Sequence, residues 1–150
     1  MYKEDFMKKC ISFGALKINT EAFDININEN DIVIAADKGL ETLEELKISP
    51  DYIIGDFDSL GYAPKGENII KHPKIKDDTD TMLCVKKALN LGYKYFEIYG
   101  CIGGRLDHTI ANIQTASFVA ENKGIAVFFD VDNKTALTVI KNDSISFTSD

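Results

Sequence analysis

Short apolar segments alternate along this chain with segments in which apolar residues recur every three or four positions. The run DIVIAA at 31–36 is almost continuously apolar, which is typical of a strand buried on both faces of a sheet. Shorter runs of β-branched and aromatic residues predict further strands. These lie at residues 9–13, 52–54, 68–71, 95–99 and 125–131.

Three of the intervening segments predict helices. Residues 38–47 carry leucines at helical spacing, and Pro50 follows at the point where a helix must end. Residues 79–91 carry apolar residues on one helical face and are followed by Gly92. A third helix is predicted to run to about residue 123, with Asp107 or Thr109 as its N-terminal cap and Gly124 as its stop. Strands alternating with helices predict an α/β fold, with a mostly parallel sheet covered on both faces.

The pattern changes after Val131. Turn-forming residues at 133–134 and 142–143 flank the segments 135–140 and 144–148, which predicts an antiparallel hairpin with no further helix. We therefore expect an α/β domain over residues 1–131, followed at 132–150 by the start of an antiparallel β domain.

Composition and charge narrow the class of protein. The net charge of −7 argues against a general nucleic-acid binder, which needs a basic face. No apolar run approaches the roughly 18 residues of a membrane helix, and no signal peptide is expected at the N-terminus. Three cysteines without a CxxC pair suggest neither a disulfide framework nor a zinc site. A cytoplasmic enzyme is expected.

Polar side chains collect just after the predicted strands, where an open parallel sheet binds its ligands. Crowded carboxylates repel one another, and such a group persists most easily when a cation joins it. Mg²⁺ is the natural choice because it prefers hard oxygen ligands and shares them with phosphates. The residues after the strands are Asp37, Asp56, Asp58, Asp77, Asp78, Asp80, Gly103, Gly104, Arg105, Asp107 and His108.

Each of these motifs also has a purely structural interpretation. Asp37 and the acids at 77–80 precede helices, where carboxylates act as caps and favour the helix dipole. The sequence GDFDS at 55–59 has the composition of a turn. Paired glycines followed by Arg105 suit a backbone that approaches phosphate closely. All four motifs stand at strand ends, so together they favour a ligand site.

Four segments in this order resemble thiamin pyrophosphokinases: AADKGL at 35–40, SPDYIIGDFDSL at 49–60, KDDTD at 76–80 and GGRLDHTIANI at 103–113. The resemblance covers roughly residues 11–130. It implies a Rossmann-like α/β domain that holds Mg²⁺ and ATP, followed by a β-sandwich domain that helps to bind thiamin. It also implies a homodimer with its active sites between subunits. Because a complete member continues well beyond residue 150, thiamin binding and turnover by this chain alone stay open.

The resemblance also assigns residues. Asp56, Asp58 and Asp77 are expected to hold the metal, with Asp80 a further candidate, and Arg105 is expected to contact phosphate. The thiamin hydroxyl would attack the β-phosphorus of ATP and release AMP, with Asp80 or Asp107 accepting the proton. The nucleotide is expected to contact Asp37, Gly103, Gly104, Arg105 and Asn112.

Two other functions fit the same motifs. One is a pyrophosphokinase for another hydroxymethyl substrate, such as a pterin, with the same metal site and a different alcohol pocket. The other is a non-catalytic nucleotide-binding fragment.

Overall fold

A computed structural model of the chain describes residues 8–55, 68–71 and 78–141. The strands in this part of the chain are β1 (Lys9–Phe13), β2 (Ile32–Ala36), β3 (Tyr52–Gly55), β4 (Ile69–Lys71), β5 (Tyr95–Ile102), β6 (Ile125–Asp130) and β7 (Ala136–Leu137). They form one sheet in the order β4-β3-β2-β1-β5-β6-β7. β1 to β6 pair in parallel, and β7 pairs antiparallel with β6. The predicted α/β fold with a mostly parallel sheet is confirmed.

Three helices connect the parallel strands: α1 (Gly39–Leu46), α2 (Asp80–Asn90) and α3 (Leu106–Glu121). They match the predicted helices to within a few residues. The predicted cap of the third helix is wrong, because Arg105 occupies the N-cap position and Asp107 is already the second helical residue. A short 3₁₀ helix at Thr20–Ala22, between β1 and β2, was not predicted.

The two faces of the sheet have separate apolar cores. α2 and α3 pack on one face, around Phe96, Ile98 and Phe128. α1 and the segment before β2 pack on the other, where Tyr99 stacks between Phe13 and Phe129 at centroid distances of 5.2 and 5.0 Å. Tyr99 follows Ile98 directly, so the alternation of side chains along β5 supplies both cores. Burial on both faces explains why these strands are apolar almost throughout.

The segment after β6 extends the same sheet. Phe128 and Phe129 of β6 pair with Leu137 and Ala136 of β7. The first arm of the predicted hairpin therefore packs on the α/β domain, and the second arm, 144–148, lies outside the described residues. The domain boundary expected at residues 131 and 132 stays a prediction. None of the helices in the described ranges combines the length and apolarity needed to cross a membrane.

The start of α1 lies directly against the end of β1. A Cβ atom added at Gly39 would collide with the carbonyl oxygen of Phe13. We expect Gly39→Ala to lower the free energy of unfolding by roughly 1–3 kcal/mol, because backbone must shift to make room. Thermal unfolding followed by circular dichroism would show a Tm lowered by about 2–4 °C per kcal/mol. Glu45→Ala, at an exposed position of α1, is the matched control, and equal Tm values for the two variants would contradict the expectation.

Candidate functional site

The strand order reverses between β1 and β5. β2, β3 and β4 extend the sheet on one side of this point, and β6 and β7 extend it on the other. An open α/β sheet has a crevice at such a point, beyond the carboxyl ends of the strands. A cleft of about 380 Å³ lies there. Its walls are formed by Gly14, Ala15, Leu16, Ala36, Asp37, Thr79, Asp80, Thr81, Gly100, Cys101, Arg105, His108, Ala111 and Asn112.

Gly14 and Gly100 allow the chain that follows β1 to approach β5 closely at the floor of this cleft. The N–H of Gly14 donates to the carbonyl of Tyr99 at 2.7 Å, and the N–H of Leu16 donates to the carbonyl of Gly100 at 2.9 Å. Gly100 has a φ of +75°, and a Cβ atom there would lie 2.8 Å from the carbonyl oxygen of Gly14. Neither glycine was predicted to belong to the site, although each directly follows a predicted apolar strand.

Asp37 occupies the end of β2 in a left-handed conformation, with a φ of 50°. Its backbone N–H donates to the carbonyl of Ile54 at 2.7 Å. A Cβ atom added at Gly55 would lie 3.1 Å from the Cα of Asp37, so the last residue of β3 packs directly against it. Asp37 thus lines the cleft beside the point where the GDFDS motif begins. Asp56, Asp58 and Asp77 lie outside the described residues.

The start of α2 forms another wall. The side chain of Thr79 accepts a hydrogen bond from the N–H of Met82 at 3.1 Å and caps the helix. The cap places Thr79, Asp80 and Thr81 along the cleft. Asp78 is absent from the lining residues, and its carboxylate pairs with Lys86 at 2.7 Å. Within the KDDTD motif, Asp80 therefore lines the cleft and Asp78 does not.

Cys101 contacts both helices whose N-terminal ends line the cleft, α2 and α3. Its sulfur lies 3.4 Å from the hydroxyl of Thr81 on α2, and its carbonyl accepts a hydrogen bond of 2.7 Å from the Asn112 side chain on α3. Burial raises the pKa of the Cys101 thiol to about 11, although the Thr81 hydrogen bond acts in the opposite direction. The thiol is therefore protonated near neutral pH and is a poor nucleophile and a poor metal ligand.

Arg105 stands at the rim, just before α3. Its guanidinium donates to Asp107 at 2.7 Å, and the arginine side chain is 73% exposed. Desolvation acts to raise the pKa of Asp107, but the charge of Arg105 and the N–H of His108 together hold it below its ordinary value. Arg105 and His108 line the cleft, whereas Asp107 lies beside it.

The structure brings four of the predicted site residues together in the cleft: Asp37, Asp80, Arg105 and Asn112. Gly103 and Gly104 stay outside its lining and shape the bend after β5 instead. Gly103 has a φ of +102°, and a Cβ atom at Gly104 would lie 3.0 Å from the side chain of Leu16. Asn112 uses its amide nitrogen within the protein, so its expected contact with a nucleotide stays a prediction.

The donor groups of the cleft have the chemistry of a hard-cation site. Asp37 and Asp80 contribute carboxylates, and the neighbouring thiol is protonated, which disfavours a soft metal. The described ranges alone contain no group of three His, Cys, Asp or Glu side chains able to hold a metal ion. These donors suit a hard cation such as Mg²⁺, and the ligands expected for it, Asp56, Asp58 and Asp77, lie outside the described residues.

The sequence over residues 23–129 matches a family model described as "Thiamin pyrophosphokinase, catalytic domain". The chain belongs to this family. The match includes the strands from β2 to β5, β6 except for its last residue, and all three helices. It therefore contains most of the cleft, although Gly14, Ala15 and Leu16 precede it.

Individual thiamin pyrophosphokinases are similar in sequence and in fold. The thiamine pyrophosphokinase of Bacillus subtilis (strain 168) is 34% identical over 93 residues, which cover 58% of this chain and 44% of that protein. A crystal structure of the Bacillus subtilis enzyme superposes with a TM-score of 0.63 and 28% identity, covering 80% of this chain and 60% of that one. The Candida albicans enzyme shares the fold, with a TM-score of 0.61 and 19% identity over 82% of this chain and 58% of that one. The chain thus spans less than two thirds of these relatives.

The Asn112 hydrogen bond gives a test of the junction at Cys101. Asn112 is only 5% exposed, so Asn112→Ala leaves a buried carbonyl without this donor, which costs roughly 1–3 kcal/mol of stability. The higher helix propensity of alanine offsets up to about 0.7 kcal/mol of this loss. Asn122→Ala removes a similar bond of 2.8 Å to Phe118 at an exposed position and is the control. Urea unfolding should show a larger loss in the free energy of unfolding for Asn112→Ala than for Asn122→Ala. An equal loss would contradict a stabilising role of the Asn112 hydrogen bond to Cys101.

Proposed function

We propose that this chain is the catalytic domain of a thiamin pyrophosphokinase, which transfers a pyrophosphoryl group from ATP to the hydroxyl of thiamin. The products are thiamin diphosphate and AMP. The observation that carries the proposal is the family match over 23–129, because the matched segment forms most of the cleft at the switch point. That cleft combines carboxylates with an exposed arginine, as a site for a metal and a polyphosphate requires.

Arg105 provides fixed positive charge at the rim. A guanidinium stays protonated and presents a planar set of donors that matches phosphate oxygens. Its present partner, Asp107, is well exposed, so the ion pair is weak and phosphate can replace it or join it. Arg105 thereby offsets the charge that develops on the transferred group, and no proton needs to move to or from the arginine.

Asp80 is the better of the two proposed proton acceptors. Asp80 lies in the wall of the cleft, whereas Asp107 lies outside the lining with one carboxylate oxygen on Arg105 and the other on the N–H of His108. The lowered pKa of Asp107 also makes it a weaker base. We assign proton removal from the substrate hydroxyl to Asp80, and the orientation of Arg105 to Asp107.

Asp56, Asp58 and Asp77 are the residues that we expect to hold Mg²⁺, with Asp80 close to them in sequence. When bound, Mg²⁺ supplies positive charge to the phosphate oxygens. Asp37 and the backbone around Gly103 and Gly104 would hold the rest of the nucleotide at the rim.

We further propose that the part of the relatives that this chain does not span supplies the rest of the thiamin pocket. The chain spans 44% of the Bacillus subtilis protein and 60% of the chain in its crystal structure. Residues 132–150 would begin a β domain that completes the thiamin pocket, in a cytoplasmic homodimer with its sites between subunits. The 150 residues alone would then bind Mg–ATP measurably and thiamin poorly.

An AMP-release assay tests the reaction. The 150-residue chain and a chimera extended with the remaining part of the Bacillus subtilis enzyme are incubated with Mg–ATP and thiamin, a hydroxymethyl pterin or no acceptor. We expect thiamin-dependent AMP release by the extended protein, lost when EDTA removes Mg²⁺. Release with the pterin alone would reassign the substrate. Tight Mg–ATP binding without release from either protein would indicate a nucleotide-binding module.

Replacement of the arginine tests its role in catalysis. Arg105→Lys keeps the charge but loses the planar fork, so kcat/KM of the extended protein should fall by at least about 10-fold. Asp107→Asn, which removes the negative charge of the partner and keeps the size of the side chain, should change kcat/KM by less. An Arg105→Lys variant with wild-type kcat/KM would show that this arginine is only a surface residue.

A further inference from the structure

Asp78 lies just before the N-terminus of α2 and is paired with a lysine of the same helix. Its carboxylate lies 2.7 Å from the ammonium of Lys86, two turns further along α2. Their side chains are 32% and 43% exposed, so the pair is partly shielded from solvent. The residues that follow Asp78, from Thr79 to Thr81, line the cleft, while Asp78 itself does not.

Lys86 also contacts α3. Its ammonium lies 5.6 Å from the centroid of the Phe118 ring, within the range of a cation–π interaction. The lysine therefore has an anionic partner on one side and an aromatic ring of the neighbouring helix on the other. A side chain held at two points loses less freedom on forming the ion pair than a lysine in open solvent. Lys86 therefore links Asp78, which precedes the N-cap of α2, to the body of α3.

The position of this link matters because the helix start carries the polar wall of the cleft. Thr79 fixes the first turn through its bond to the N–H of Met82, and Asp78 directly precedes that cap. If Asp78 turned towards the cleft, its charge would add to that of Asp80 and repel an anionic ligand. The ion pair with Lys86 directs this charge away from the lining of the cleft.

We propose that Lys86 is a positioning residue for the candidate site: by holding Asp78, it orients the start of α2 so that Asp80 faces the ligand and Asp78 does not. The inference rests on the proposed function, because the ligand in question is Mg–ATP. Lys86 lies outside all four motifs that identify the family, and it acts through Asp78 and Phe118.

Titration calorimetry of the 150-residue chain with Mg–ATP tests the proposal. Lys86→Met should raise the Kd by about 5-fold, because Asp78 loses its partner and the helix start loosens. Lys86→Arg should restore most of the affinity, because it keeps the charge and reaches the same carboxylate. The exchanged pair, Asp78→Lys with Lys86→Asp, should bind better than either single variant. Lys87→Met is the matched control, because it removes the same charge from the next position, where the ammonium lies over Tyr52.

The outcomes separate this proposal from simpler ones. An equal loss of affinity in Lys86→Met and Lys87→Met would show that only net charge matters and would overturn the positioning role. A Lys86→Met variant with a lowered Tm and an unchanged Kd would show a purely structural role and would also overturn it. If the wild-type chain does not bind Mg–ATP, the proposed function itself fails, and the proposal for Lys86 fails with it.

Discussion

The close approach of the chain segments at the ends of β1 and β5 is the constraint on which the rest of the site depends. Gly14 and Gly100 pass each other with backbone contacts that leave no room for side chains, and Cys101 fills the space beside them. Thr81 and Asn112 then attach the starts of α2 and α3 to this point. Asp80 begins α2 and Arg105 is the N-cap of α3, so the relative position of the carboxylate and the guanidinium in the cleft follows from packing between small residues.

The charges around the cleft are arranged in pairs with different exposure. Asp78 is paired with Lys86 in a partly shielded position, while Asp107 is paired with Arg105 in an exposed one. Exposed ion pairs contribute little to stability and exchange partners readily. Arg105 can therefore leave Asp107 to contact a ligand, whereas Lys86 stays paired with Asp78. The ring of Phe118 lies 5.6 Å from the Lys86 ammonium and gives the Lys86 pair a further contact.

The alternation of apolar strands and amphipathic helices was enough to predict the fold, because strands buried on both faces have few alternatives to apolar residues. The position of Asp37 and Asp80 at one end of the sheet followed from the same reasoning. The start of α3 could not be predicted in this way, because Arg105 occupies the cap position without a side-chain hydrogen bond. Nor could the role of Cys101, since its contacts join residues 81, 101 and 112, which only tertiary packing brings together.

The two ends of the sheet show how structural acids can be told from candidate functional ones. At the amino ends of the strands, Asp31 accepts hydrogen bonds from the N–H groups of Lys9 and Asn28 at 2.9 and 2.8 Å, and Asp51 accepts one from Val33 at 2.8 Å. These carboxylates accept hydrogen bonds from backbone N–H groups that would otherwise have no acceptor in the sheet. Asp37 and Asp80 lie at the carboxyl ends, where the strands present carbonyl groups instead and where a cleft is open to ligands. Asp80 also lies in the first turn of α2, where the helix dipole favours a carboxylate, so what distinguishes these two acids from Asp31 and Asp51 is their place in the lining of the cleft.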